Sequence, residues 1–257
     1  MKKLLYIFII GLLTSSCVQQ TAQEKPITSI SKEIPEISKG ILKGYLSEEE
    51  LPNSLKLVSP PPEEGSAAYA LDQEMAAMYV ASNDEARKEQ ATKDAVLHFP
   101  EAMDAFNSIL ETKITEDITP NSYMIMRRTL ADAGLSTYAA KNYYKRERPF
   151  MLNNAPICTP SDEEGLRSDG SYPSGHTAIG WAWALILTEI FPTQTDAILI
   201  RGKEFGISRN VCNVHWHSDV LAGRMMGTAT VAKLHTNEDF IIDLAAAKEE
   251  IRLLKTQ

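Results

Sequence analysis

Three short segments of this 257-residue chain join charged side chains to residues that bend or cap a backbone. In Lys141-Asn-Tyr-Tyr-Lys-Arg-Glu-Arg148-Pro149 the outer cations stand seven apart, two turns of a continuous helix, so the spacing predicts Lys141 and Arg148 on one face. Pro149 is expected to end that helix and so fix where Arg148 points. In Gly170-Ser-Tyr-Pro-Ser174-Gly175-His176 a turn runs straight into the most apolar stretch of the chain. The amides of Ser174 and Gly175 are then expected to be free at a helix N-terminus, where geometry and dipole favour an anion. Gly175 lets an oxyanion approach the backbone, and His176 in the first turn is placed to give a proton to a leaving oxygen. The third segment is Ser208-Arg209-Asn-Val-Cys-Asn-Val-His215-Trp-His217-Ser-Asp219. His215 and Asp219 are four apart, so on a helical turn the carboxylate can hold one imidazole nitrogen and leave the other lone pair as a nucleophile. Each segment also has an ordinary explanation: a basic helix end, a serine N-cap beside a chance histidine, a satisfied structural histidine.

The elements that must position these side chains read as helices. Ala67 to Val96, Asp104 to Leu110 and Ser122 to Tyr144 are rich in Ala, Met, Leu and Glu with apolar residues at helical spacing. His176 to Phe191 is almost wholly apolar, too short to span a bilayer and closed by Pro192, the pattern of a buried central helix. Asp196 to Phe205, Ser218 to Leu234 and an amphipathic Phe240 to Leu254 complete the set, with no alternating β pattern. The expectation is a single-domain, all-α helical bundle. Residues 17–44 read as a polar tether, and 45–66, broken by four prolines, as an extended arm opening a domain that runs to 257.

Lys and Arg number 26 against 34 Asp and Glu, a formal charge of −8 that argues against a general nucleic-acid binder. Any bound anion must therefore meet a local basic cluster. Residues 1–16 have the basic, apolar and small-residue regions of a secretory signal peptide. Cys17 follows Ser15-Ser16 as in a bacterial lipobox, although Thr14 stands where Leu is usual; a lipid anchor at Cys17 and an ordinary secreted chain are both open. Either way the compartment lies outside the cytoplasm. Setting Cys17 aside leaves Cys158 and Cys212, which in an oxidising compartment pair as a disulfide or stay as two buried thiols.

Taken together, Lys141 with Arg148-Pro149, then Pro173-Ser174-Gly175-His176, then Ser208-Arg209 with His215 and Asp219 resemble the three-part signature of the type 2 phosphatidic acid phosphatase superfamily, PAP2. LPNSLKLVSPPPEEGSAAYALDQ, GSYPSGHTAIGWAWALIL and ILIRGKEFGISRNVC extend the likeness to the bacterial class A non-specific acid phosphatases, over roughly residues 45–240. The resemblance implies an acid phosphatase acting on small phosphomonoesters through a phosphohistidine, with possible transfer to other alcohols. Lys141, Arg148, Arg209, Ser174 and Gly175 would clamp the phosphoryl oxygens, His215 would attack, Asp219 would orient it, and His176 would serve as acid and then base. It further implies no metal and no cofactor, inorganic phosphate as a ligand, no nucleic-acid partner, membrane contact only through an anchor, a homo-oligomer in the periplasm or on the outer membrane, and a Cys158–Cys212 bridge.

One residue departs from the class A pattern: His217 stands where Gln is usual. Two rival chemistries share parts of the site. His215-Trp-His217-Ser-Asp219 reads as part of a zinc hydrolase signature, but Val220 stands where that signature needs another histidine. A vanadium haloperoxidase would hold vanadate in the same kind of basic pocket.

Overall fold

The computed structural model describes residues 28–256, so the signal peptide and the Cys17 anchor expected above lie outside the described residues. Helix formation starts from local signals. Ser174 caps a 16-residue helix by accepting from the Thr177 amide at 3.3 Å, and the run Gly175–Ile190 then buries most of its residues, leaving a strip of Trp181, Leu185, Thr188 and Glu189 partly exposed. A helix apolar over so much of its surface sits at the centre of a core. In chain order the helices are α1 (Ser54–Leu57), α2 (Ala67–Ala81), α3 (Glu85–Lys93), α4 (Asp104–Asn107), α5 (Pro120–Leu135), α6 (Tyr138–Tyr144), α7 (Pro149–Asn153), α8 (Glu163–Ser168), α9 (Gly175–Ile190), α10 (Thr195–Val211), α11 (His217–Leu234) and α12 (Glu238–Leu254). Helices α5, α10 and α11 surround α9, and α12 closes over α5. The all-α reading holds, and no helix of the described residues is long and apolar enough to cross a membrane.

Trp183 anchors the core, edge-on to Phe99 and Phe106, with its indole N–H donating to the Met126 carbonyl at 2.9 Å. The first turn of α9 is gripped from two sides. A Cβ at Gly206 of α10 would come within 2.7 Å of Thr177 Cγ2, and one at Gly223 of α11 within 2.5 Å of the Ser174 carbonyl oxygen. Glycine at both places lets two helices press against the turn that carries Ser174 and His176.

Four local expectations are corrected. Residues 28–44, read as part of a tether, are docked: they hold a short antiparallel ribbon of β1 (Glu36–Ser38) and β2 (Ile41–Leu42), and the Ser29 amide donates to Asp243 of α12 at 2.8 Å. The extended arm at 45–66 contains α1, whose Ser54 hydroxyl accepts from the Ala140 amide at 2.9 Å. The helix expected over 122–144 is two, because Ser136 and Thr137 turn their hydroxyls back onto the carbonyls of Ala133 and Gly134 and divert the backbone between α5 and α6. Finally, Lys141 and Arg148 do not share a helix. Helix α6 stops at Tyr144, Lys145 takes a left-handed conformation (φ 45°), and Pro149 begins α7 rather than ending α6.

Candidate active site

The break after α6 nevertheless brings Lys141 and Arg148 to the same place, since the loop folds back. A single oxygen, Oδ2 of Asp169, accepts from Lys141 Nζ and from Arg148 Nη2, each at 3.0 Å. Lys141 also donates to the Gly170 carbonyl, and Arg148 Nε to the carbonyls of Leu166 at 2.8 Å and Asp169 at 3.2 Å. Arg209 joins them from the last turn of α10. Its Nε and Nη1 are buried with no hydrogen-bond partner. None of the three cations is more than 3% exposed, and burying so much positive charge is costly unless an anion enters. Burial, then the neighbouring Arg148, pushes Lys141 down to about 8 and Arg209 down to about 10.

The turn expected to bind an anion offers different free amides from those the sequence suggested. The Ser174 amide is not free, for it donates to the Asp219 carbonyl at 3.0 Å, and the Ser174 hydroxyl is engaged as the N-cap of α9. The amides of Gly175 and His176 make no hydrogen bond among the described residues. A Cβ at Gly175 would meet nothing nearer than Thr137 Oγ1 at 3.5 Å and Lys141 Cε at 3.9 Å, so this backbone is open toward the clamp.

His215 lies in the turn before α11, not on the helix. Trp216 is the N-cap, and Asp219 reaches back to accept its amide at 2.8 Å, which places the carboxylate 3.2 Å from His215 Nδ1. The other ring nitrogen settles the tautomer. Arg148 Nη1 stands 3.0 Å from His215 Nε2, and a guanidinium can only donate, so Nε2 carries the lone pair and Nδ1 the proton. Ser171, whose hydroxyl donates to Asp219, sits 3.3 Å from Nδ1. Burial first, then Arg148, Lys141 and Arg209, hold the imidazole well below the usual histidine range, which favours its neutral form.

His176 presents the opposite arrangement. Its Nε2 lies 3.0 Å from the Ala95 carbonyl, an acceptor, so Nε2 bears a proton and Nδ1 is left for the site. The turn carrying Ala95 is fixed because Asp94 accepts from Arg201 and from the Ser208 hydroxyl, the latter at 2.5 Å. Burial and then Arg209 push His176 well below its usual range, and the Ala95 carbonyl opposes this.

Sequence reasoning missed Asp169, Ser171, Ala95 and Arg146, whose Nη1 donates to Asp219 at 2.6 Å. Asp169 had a signal, a lone carboxylate against an anion-binding turn; Arg146 was hidden in a run of surface-like charges, and a backbone carbonyl leaves no trace in a sequence. His217 opens α11, and its imidazole makes no hydrogen bond among the described residues. His215 Nε2 faces a guanidinium, and no three His, Cys, Asp or Glu side chains among the described residues come together as the zinc signature would require. Cys158 and Cys212 are bonded, tying the loop before α8 to the turn between Arg209 and His215.

Residues 122–239 match the PAP2 superfamily. The chain is 40% identical over 256 residues to the non-specific acid phosphatase of Providencia stuartii, covering 99% of this chain and 100% of that protein. It is 40% identical over 208 residues to the non-specific acid phosphatase of Salmonella typhimurium, covering 80% and 83%. Among solved structures it aligns with a transmembrane PAP2-type phosphatidylglycerolphosphate phosphatase from Bacillus subtilis at 18% identity and a TM-score of 0.46, over 66% of this chain and 85% of that one. Identity of this extent, carried by a chain whose three signature segments close around one buried cationic pocket, makes the protein a member of the PAP2 superfamily and, within it, an acid phosphatase, a phosphoric monoester hydrolase.

Proposed function

We propose that the protein hydrolyses small phosphomonoesters outside the cytoplasm, without a metal ion, through a phosphohistidine on His215 Nε2. The observation that carries this reading is the lone pair that Arg148 and Asp219 together force onto Nε2. In the empty site that lone pair rests on Arg148 Nη1. A non-bridging oxygen of an incoming phosphate takes over the guanidinium, with Lys141, Arg209 and the amides of Gly175 and His176, and frees Nε2 to attack. The Nε2–P bond forms as the P–O bond breaks, and the leaving oxygen takes the proton from Nδ1 of His176, whose affinity for it rises when the phosphate dianion is bound. Water then attacks phosphorus, His176 takes its proton, and phosphate departs with Nε2 again bare. An alcohol in place of water gives phosphotransfer. Three buried cations supply the charge stabilisation for which other phosphoryl-transfer sites use magnesium. The signal peptide and Cys17 support delivery to the periplasm, with a lipid anchor on Cys17.

Two displacements at phosphorus give net retention, one gives inversion. A chiral phosphomonoester turned over in an excess of chelator is therefore expected to yield product of retained configuration at an undiminished rate. Inversion, or activity lost to chelator and restored by zinc, would overturn the mechanism.

Lys141 sets the alkaline edge. The clamp needs its ammonium form, which is held below its folded value of about 8 and lost above it. Competitive inhibition by sulfate, whose charge is constant here, is expected to weaken by up to about tenfold per pH unit above that point. Lys141→Arg, charged throughout, should remove this limb, and a limb that stays in place assigns it to another group.

A further inference from the structure

Helix α2 is held against the site by a buried charge as well as by Tyr69, which lies against Trp216, and Tyr79, which packs on the cluster around Phe150. Asp72 is the buried residue of that helix, whereas Leu71, Met78 and Val80 are exposed. Its carboxylate binds the first turn of α11: the Ser218 amide donates to Oδ1 at 2.8 Å and the Ser218 hydroxyl to Oδ2 at 2.6 Å. The same Oδ2 accepts from Arg146 Nη2 at 2.7 Å. Arg146 lies across the Trp216 ring, 5.3 Å from its centroid, and spends its other terminal nitrogen on Asp219. The charges thus run in a line from Asp72 through Arg146 and Asp219 to His215.

The physical consequence follows from the chemistry of the last pair. When Nε2 is phosphorylated the imidazole ring becomes cationic, and Asp219 is the carboxylate in contact with it. In an interior this dry, a guanidinium committed wholly to Asp219 would cancel that carboxylate before the histidine could use it. A guanidinium shared with a second buried carboxylate cancels it only in part. We propose that Asp72 is a positioning residue for the phosphoryl transfer: it shares the charge of Arg146 with Asp219, keeping Asp219 in part available to the phosphohistidinium, and its bonds to Ser218 fix the turn from which Asp219 projects. The proposal rests on His215 as the nucleophile. Asp72 touches neither substrate nor the reacting atoms.

Asp72→Asn is expected to lower kcat on the order of tenfold, with KM and the inhibition constant of inorganic phosphate held within twofold, because the clamp is untouched. Adding Arg146→Gln in the same chain removes the cation that Asp72 no longer balances. That double variant is expected to recover at least threefold in kcat over the single one, an inversion of sign that loss of a merely structural bond cannot produce. A double variant no faster than Asp72→Asn overturns the proposal. Should Asp72→Asn melt below the assay temperature, the double variant, which removes one charge of each sign, is compared with the parent: kcat within about thirtyfold supports the proposal and a larger loss overturns it. Failure of the His215 assignment is seen separately, as phosphoenzyme in a chain that lacks His215.

Discussion

His215→Ala is expected to lose turnover on the order of 100,000-fold and to form no phosphoenzyme with any substrate. A nucleophile is needed whatever the leaving group, and the neighbouring side chains have other work: Lys141 is bound to Asp169 and Gly170, and His176, tied to Ala95 at Nε2, keeps Nδ1 for the proton of the leaving oxygen. His176→Ala is expected to behave differently. Protonation of the leaving oxygen matters least when that oxygen is already stable as an anion, so a nitrophenyl ester should still phosphorylate His215, while an alkyl phosphate should slow by roughly a hundredfold or more. The second step needs His176 to activate water, so the phosphoenzyme should accumulate. Acid quench and mass spectrometry of the two variants give the result directly. A phosphorylated peptide from the His215→Ala chain would refute the assignment.

Removing the Cys158–Cys212 bridge is the second large effect. The cysteines are separated by 54 residues, for which loss of loop closure in the unfolded chain gives about 4 kcal/mol. For a chain of this size the double variant Cys158→Ser, Cys212→Ser should melt about 10 °C lower. The bridge lies in a small apolar cluster with Phe150, Ile157, Val211 and Val214, and Val214 offers its carbonyl to Arg148 at 2.9 Å. Loosening that turn should therefore also weaken phosphate inhibition, since Arg209 and His215 flank it. Unchanged melting with unchanged phosphate affinity would show that apolar packing alone holds the turn.

The parts of this protein that were legible in its sequence depend on neighbours a few residues away. The α9 run announces its own burial, Ser174 its role as a cap, and Pro173 to His176 the turn that opens the helix, because helix periodicity and capping act over three or four positions. The side chains of Lys141, Arg148, Arg209, His176, His215 and Asp219, singled out by residue type and spacing, do converge on one buried pocket. Their geometry was another matter. Counting residues put Lys141 and Arg148 on one helix and His215 with Asp219 on another, and both pairs meet instead across breaks, at Lys145 and at Trp216. Which nitrogen of His215 is bare depends on an arginine 67 residues earlier, the Ser174 amide is consumed by a carbonyl in α11, and Asp219 is shared with Arg146 at a separation of 73. Residues 28–44 look like a polar linker until Ser29 is seen against Asp243, 214 residues away. Local spacing determines which chemistry a segment can offer. Which donor meets which acceptor is decided only when the whole core has packed, since a buried polar group must take its partner from whatever the fold brings within 3 Å.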